Sequence, residues 1–174
     1  MSGGVVFVGS LKRSLVMEKL NHRAETIRLT TVKIPSEDLD EILRGEISAK
    51  EAYTQALEKF EGTPSNFAIE QIRSEHEQAI DFWKREARDM NLIPETNSGI
   101  WGTIVQSFMA TSKAIGVEAT TRALRKGEEH GLNNYQRMLE STELTRFQKN
   151  EIENVFIPRQ KRHIKNLDNV LALM

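Results

Sequence analysis

From residue 36 onward, apolar residues recur at the three- and four-residue spacing of amphipathic helices. Ser36, followed by Glu37 and Asp38, predicts a helix start, because a capping side chain and early acids suit the positive end of a helix dipole. Leu39, Ile42, Leu43, Ile47, Tyr53, Ala56, Leu57 and Phe60 then share one face, and Gly62 ends the run. Thr63-Pro64 predicts the next start, an N-cap followed by proline at the first helical position. The stripe of this second helix is Ile69, Ile72, Ile80, Trp83, Ala87 and Met90, and it stops before Pro94. Residues 91–99 read as loop, after which Ile100-Trp101, Ile104-Val105, Phe108-Met109 and Ile115 predict a shorter amphipathic helix closed by Gly116. A third long helix from Val117 carries Thr121, Leu124, Leu132, Tyr135, Met138 and Leu139 inward. Ser141-Thr142 and Glu143 restart the chain as a fourth, with Leu144, Phe147, Ile152, Val155, Phe156, Leu167, Val170 and Leu171 on its stripe. Pro158 lies inside this helix and is expected to kink or split it, since it lacks the N–H that the ladder needs. Residues 1–35 show no sustained period and form a lead segment, either partly helical or disordered.

The expected fold class is all-α. Helices at about 37–61, 64–91, 117–140 and 143–173 make one domain over 36–174, paired one-two and three-four by short turns that force antiparallel neighbours. The stretch from Leu92 to Gly116, with its helix at about 100–115, is a long crossover between the pairs. An antiparallel four-helix bundle with one long crossover has ferritin-like connectivity. The crossover helix is expected to pack on the bundle; exposed Trp101, Val105 and Phe108 would instead make the chain a helical interaction module.

Polar residues interrupt these stripes at matching places. Positions seven apart lie close to two helical turns and share a face. They read Leu39, Glu46, Tyr53, Phe60 in the first helix and Ile69, His76, Trp83, Met90 in the second. The third gives Thr121, Glu128, Tyr135, and the fourth Phe156, His163, Val170. Each helix thus puts one Glu or His on an otherwise apolar face. Gly45-Glu46…Tyr53…Leu57 also repeats as Gly127-Glu128…Tyr135…Leu139, and His76…Ile80-Asp81 repeats as His163…Leu167-Asp168, at identical spacing. An internal duplication accounts for this better than chance. Buried carboxylates and imidazoles are costly unless paired or bound to a cation. Glu46, His76, Glu128 and His163 together offer the oxygen and nitrogen donors that one Fe, Mn or Zn ion accepts. Tyr53 and Tyr135 are placed to donate hydrogen bonds to the carboxylates.

The segments RGEISAKEAYTQALEKF, SGIWGT, ALRKGEEHGLNNYQRML and IPRQKRHIKNLDNV resemble the rubrerythrin branch of the ferritin-like superfamily, and most of all an uncharacterised bacterial family of ferritin-like domains. The resemblance covers roughly residues 38–172 and implies metal handling or defence against oxidative stress. It makes a homodimer plausible. Di-iron members carry a bridging Glu three residues before each His. Here those places hold Arg73 and Gln160. By resemblance Glu46, His76, Glu128 and His163 remain as terminal ligands, enough for one metal and too few for a di-iron cluster. Arg73 is alternatively expected to pair with Glu46 or Glu128 in place of a cation, leaving a metal-free network that includes Gln160. Glu75 and Glu77, turned about 100° to either side of His76, are expected to face solvent.

Composition narrows the remaining classes. Lys+Arg (24) nearly balances Asp+Glu (25), so no global field draws nucleic acid or an anionic membrane, and the basic run 159–165 reads as a solvated face. The absence of cysteine removes disulfides and thiolate sites, and no long apolar stretch predicts a signal peptide or membrane span. A cytoplasmic protein is expected. No Gly-rich phosphate loop, serine elbow or zinc-protease motif points to an enzyme, and Arg73 and Gln160 argue against a di-iron oxidase or peroxidase.

Overall fold

The computed structural model describes residues 37–94, 97 and 116–174. The lead segment, the Ser36 cap and the expected crossover helix with Trp101, Val105 and Phe108 lie outside the described residues. Among the described residues every regular element is helical.

Helix α1 is Glu37–Phe60, and Asp38 and Asp40 join Glu37 in its acidic first turn. Gly62 follows at φ 72°, a left-handed conformation that glycine adopts without a Cβ clash, and there the chain reverses. Helix α2 is Asn66–Asp89, two residues later than the Thr63-Pro64 signal predicts. The Thr63 hydroxyl donates back to the Phe60 carbonyl at 2.7 Å and closes the turn, so Ser65 becomes the N-cap position. Helix α3 is Val117–Met138. The fourth rod begins at α4, Arg146–Glu151, rather than at Glu143. Thr145 caps it in a reciprocal box with Gln148, in which each side chain satisfies the other's free N–H.

Pro158 neither breaks nor splits this rod. One π turn, Ile152–Phe156, precedes it, and α5, Ile157–Ala172, continues directly with the proline in its first turn. The π turn absorbs the missing N–H and inserts extra rotation, which rephases the apolar stripe. Phe147 and Val155, both expected inward, are 55% and 36% exposed, while Gln148 is fully buried.

Contacts set the directions of the four rods. Asp38 meets Ser141, Glu46 meets Tyr135 and Tyr53 meets Glu128, so α1 and α3 run antiparallel. Glu128 meets His163 and Arg125 meets Asp168, making α3 antiparallel to α5. Gln148 meets Glu86 while Arg162 meets Glu75, so α2 is antiparallel to the fourth rod. It follows that α2 and α3 are parallel, and that Asp89 and Val117 lie at opposite ends of the bundle. A short turn cannot join them, in keeping with the long crossover read from the sequence.

The core divides into two apolar clusters. One gathers Leu39, Leu43, Ile80, Trp83, Met138 and Phe156 at the Asp89 end. The other gathers Ala56, Phe60, Ile69, Ile72, Leu167 and Val170 at the Val117 end. Truncating a fully buried member such as Leu43 or Ile69 to alanine costs about 2–5 kcal/mol, through lost transfer energy and the cavity left behind. Between the two clusters lies a layer of buried polar side chains: Glu46, His76, Glu128, Gln160 and His163.

Candidate metal centre

Each rod brings one acid or imidazole to this layer because the seven-residue row carries it inward between apolar neighbours. Glu46 comes from α1, His76 from α2, Glu128 from α3 and His163 from α5, all at 5% exposure or less. They form a continuous hydrogen-bonded chain. His76 Nδ1 meets Glu46 Oε2 at 2.7 Å and its Nε2 meets Glu128 Oε1 at 3.0 Å. His163 Nδ1 meets Glu128 Oε2 at 3.1 Å. The tyrosines cross between the halves: Tyr53 donates to Glu128 Oε1 and Tyr135 to Glu46 Oε1, each at 2.7 Å. Tyr135 in turn accepts from the Trp83 indole N–H at 3.1 Å.

With a carboxylate oxygen at each nitrogen, each ring can donate from both nitrogens at once, an arrangement that favours the imidazolium form in the metal-free protein. Burial alone would depress the His76 pKa, but the charges of Glu128 and Glu46 and the hydrogen bonds to them outweigh it and lift it to about 10. Burial likewise opposes charge on His163, and the bonds to Glu128 and Glu75 raise its pKa regardless. For Glu128 burial pushes upward, yet His76 and His163 hold the carboxyl well below the usual range. Burial, reinforced by the adjacent carboxylates, raises both tyrosines far above their ordinary value, so they remain neutral donors.

Two expectations are corrected here. Arg73 does not pair with Glu46 or Glu128. Its guanidinium holds Glu70 on the same helix at 2.6 Å and approaches Glu77 at 3.6 Å, with the side chain 22% exposed. Acids one turn before and after it on the flank of α2 satisfy the charge without the desolvation that entry to the core would require. Glu75, expected to face solvent, turns into the α2–α5 seam with its side chain only 13% exposed. Its Oε2 lies 2.8 Å from His163 Nε2 and 2.6 Å from Arg162, while Arg159 donates to its backbone carbonyl at 3.0 Å. The hydrogen bond from His163 and the Arg162 charge, working against burial, hold the Glu75 carboxyl down at about 2. Glu77 does remain at the surface, paired with Lys50 at 2.7 Å.

Gln160 is buried with its Oε1 unpartnered among the described residues, and its amide lies against Gly131. A Cβ at Gly131 would stand 2.6 Å from Gln160 Nε2, so the glycine is what lets this side chain approach α3. A partly open cavity of about 830 Å³ between α1 and α3 borders Glu46, Glu128, His76 and Gln160, with small and apolar residues such as Ile42, Ala49 and Ala123 also in its walls.

Among the described residues, His76, Glu128 and His163 form a group that could hold a metal ion, with one ligand atom from each lying within 4.8 Å of the others. Glu46 touches this group through His76 Nδ1, behind the ring.

Residues 35–141 match the family described as Domain of unknown function (DUF2383), more than half of the 174-residue chain. The chain belongs to this family. The DUF2383 match takes in Glu46, Glu75, His76 and Glu128 and ends before the rod that carries His163. Comparisons with curated proteins and with solved structures find no match. No described helix is long and apolar enough to cross a membrane.

Proposed function

We propose that this DUF2383 protein is a ferritin-like bundle that binds a single divalent transition-metal ion, Fe, Mn or Zn, at His76, Glu128 and His163. The observation that carries the reading is the convergence of three buried ligand atoms from three helices to within 4.8 Å of one another. The Glu128 carboxylate faces both rings, with Oε1 3.0 Å from His76 Nε2 and Oε2 3.1 Å from His163 Nδ1, so it stands where an ion between the two imidazoles would need an anionic ligand. Two imidazoles and a carboxylate suit iron, manganese or zinc and leave a fourth position for water. Bound there, such an ion supplies a Lewis acid or, for iron and manganese, a redox centre. In this arrangement Glu46 backs His76 by accepting from its Nδ1, fixing the ring for coordination through Nε2. A di-iron centre is disfavoured, because Arg73 points away and Gln160 offers no anionic oxygen. Antiparallel neighbours with parallel α2 and α3 support the ferritin-like reading.

A second reading is a metal-free core network. It is favoured by the mutual pairing of Glu46, His76, Glu128, His163 and Glu75, in which no ring nitrogen lacks a partner. Metal analysis of protein purified without chelator, with His163→Ala as the control, separates the two. About one equivalent bound, together with a rise in melting temperature on adding Zn(II), Mn(II) or Fe(II), is expected of the metal site, since a ligand bound only by the folded state stabilises it. Less than about a tenth of an equivalent and no thermal shift would leave the network reading in its place.

A further inference from the structure

Both histidines have a carboxylate at each ring nitrogen, but the two outer carboxylates are of different origin. Glu46 lies on the duplicated Glu row. Glu75 has no acidic counterpart: the residue before His163, in the place that Glu75 holds before His76, is Arg162, and these two side chains bond each other at 2.6 Å. Glu75 is further fixed through its backbone carbonyl by Arg159, whose guanidinium also approaches Glu75 Oε2 at 3.6 Å and sits over the Phe156 ring. A carboxylate anchored by two arginines of the opposite rod, with its Oε2 2.8 Å from His163 Nε2, is a rigid acceptor aimed at that nitrogen.

We propose that Glu75 is the positioning residue for His163 in metal binding. It keeps the proton on Nε2 and leaves Nδ1 as the nitrogen that faces Glu128 and His76. The proposal rests on the metal-site reading above. A neutral imidazole can present only one lone pair, and which nitrogen presents it is decided by the hydrogen bond made by the other. An acceptor behind the ring also raises ligand basicity and limits rotation, and losing one commonly weakens metal binding by about 10–100-fold. Glu75 would then match what Glu46 does for His76, so that each imidazole is backed by a carboxylate of the first hairpin.

The test uses the full chain and Zn(II) as probe. Affinity is measured by chelator competition for wild type, Glu75→Gln and Glu77→Gln, after melting curves establish that the metal-free variants are folded. Glu75→Gln is expected to bind zinc at least about 10-fold more weakly, and Glu77→Gln, whose partner is Lys50, as tightly as wild type. In the zinc-loaded wild type, imidazole ¹⁵N shifts are expected to show His163 protonated at Nε2 and metal-bound at Nδ1. That second measurement decides the matter even if Glu75→Gln does not fold. Zinc on Nε2, or wild-type affinity in a folded Glu75→Gln, overturns the role of Glu75 and leaves the metal site standing. A wild type that binds no zinc removes the site and this role together.

Discussion

The two halves of the sequence repeat share a frame and differ in their charges. In both, a Gly-Glu pair precedes a tyrosine by the same interval, and the two tyrosines cross to the opposite glutamate with equal 2.7 Å bonds. The difference lies beside the histidines. In the first half the residues three before and one before His76 are Arg73 and Glu75; in the second the same places before His163 hold Gln160 and Arg162. Arg73 turns outward and Gln160 inward, while Glu75 and Arg162 meet across the α2–α5 seam. The outcome is a skewed layer. His76 joins the two duplicated glutamates, whereas His163 joins Glu128 to Glu75. Mirrored Glu–Tyr bonds hold the frame, and residues just off the inward row decide what each histidine can do.

The comparison breaks most sharply at the glutamates. Glu128 serves both histidines and Tyr53, while Glu46 serves His76 and Tyr135. Glu128→Ala strands two buried imidazolium rings and is expected to cost about 3–5 kcal/mol in urea unfolding of the metal-free protein, with Glu46→Ala costing less. Equal costs would mean that the halves are energetically alike and the skew is only geometric.

The pH dependence is the next largest effect. The folded His76 pKa, about 10, exceeds the ordinary 6.5, so its contribution is fully present below pH 6.5 and is lost as pH rises through 10. Glu75 and Glu128 are depressed from 4.5, so their contribution is present above that value and is lost as pH falls below it. Melting temperature of the metal-free protein is therefore expected to peak between about pH 5 and 6.5 and to drop by several degrees toward pH 10. His76→Leu should flatten the alkaline limb; an unchanged limb would show that other groups produce it.

The tyrosines sharpen the comparison further. Tyr53→Phe removes one bond to a charged acceptor and should cost about 1.5–3 kcal/mol. Tyr135→Phe removes its equivalent and also leaves the Trp83 N–H without its acceptor, so it should cost about 1 kcal/mol more, read from chemical denaturation. The smallest effect is expected at Arg73, where Arg73→Ala gives up only flank ion pairs, within about 1 kcal/mol, and leaves zinc affinity unchanged. A large loss of affinity there would return Arg73 to the centre.

Much of the frame was legible in the chain itself. Alternation of apolar and polar residues marked four long helices, and their observed bounds differ by up to three residues, the starts of the second and fourth because of turn chemistry at Thr63 and Thr145. The inward acids and histidines stood out because they broke apolar rows at a repeated interval. Glu75 did not stand out, since a helix considered alone sends it 100° from His76, and only the neighbouring rod with Arg159 and Arg162 makes that direction interior. The exposure of Phe147 was equally hidden, because the π turn at Ile152–Phe156 changes the phase between the residues before it and the apolar stripe after it, so one stripe drawn through both misplaces Phe147.

Sequence alone thus determined the helices, the repeated spacing and the four polar residues on the inward rows, because periodicity and composition are properties of each helix by itself. Tertiary structure decided which of them meet: that Arg73 stays on its own flank, that Glu75 enters from the seam, and that His76, Glu128 and His163 converge. Those outcomes depend on the cost of burying each charge against the partners a neighbouring helix can offer, and no single helix carries that information.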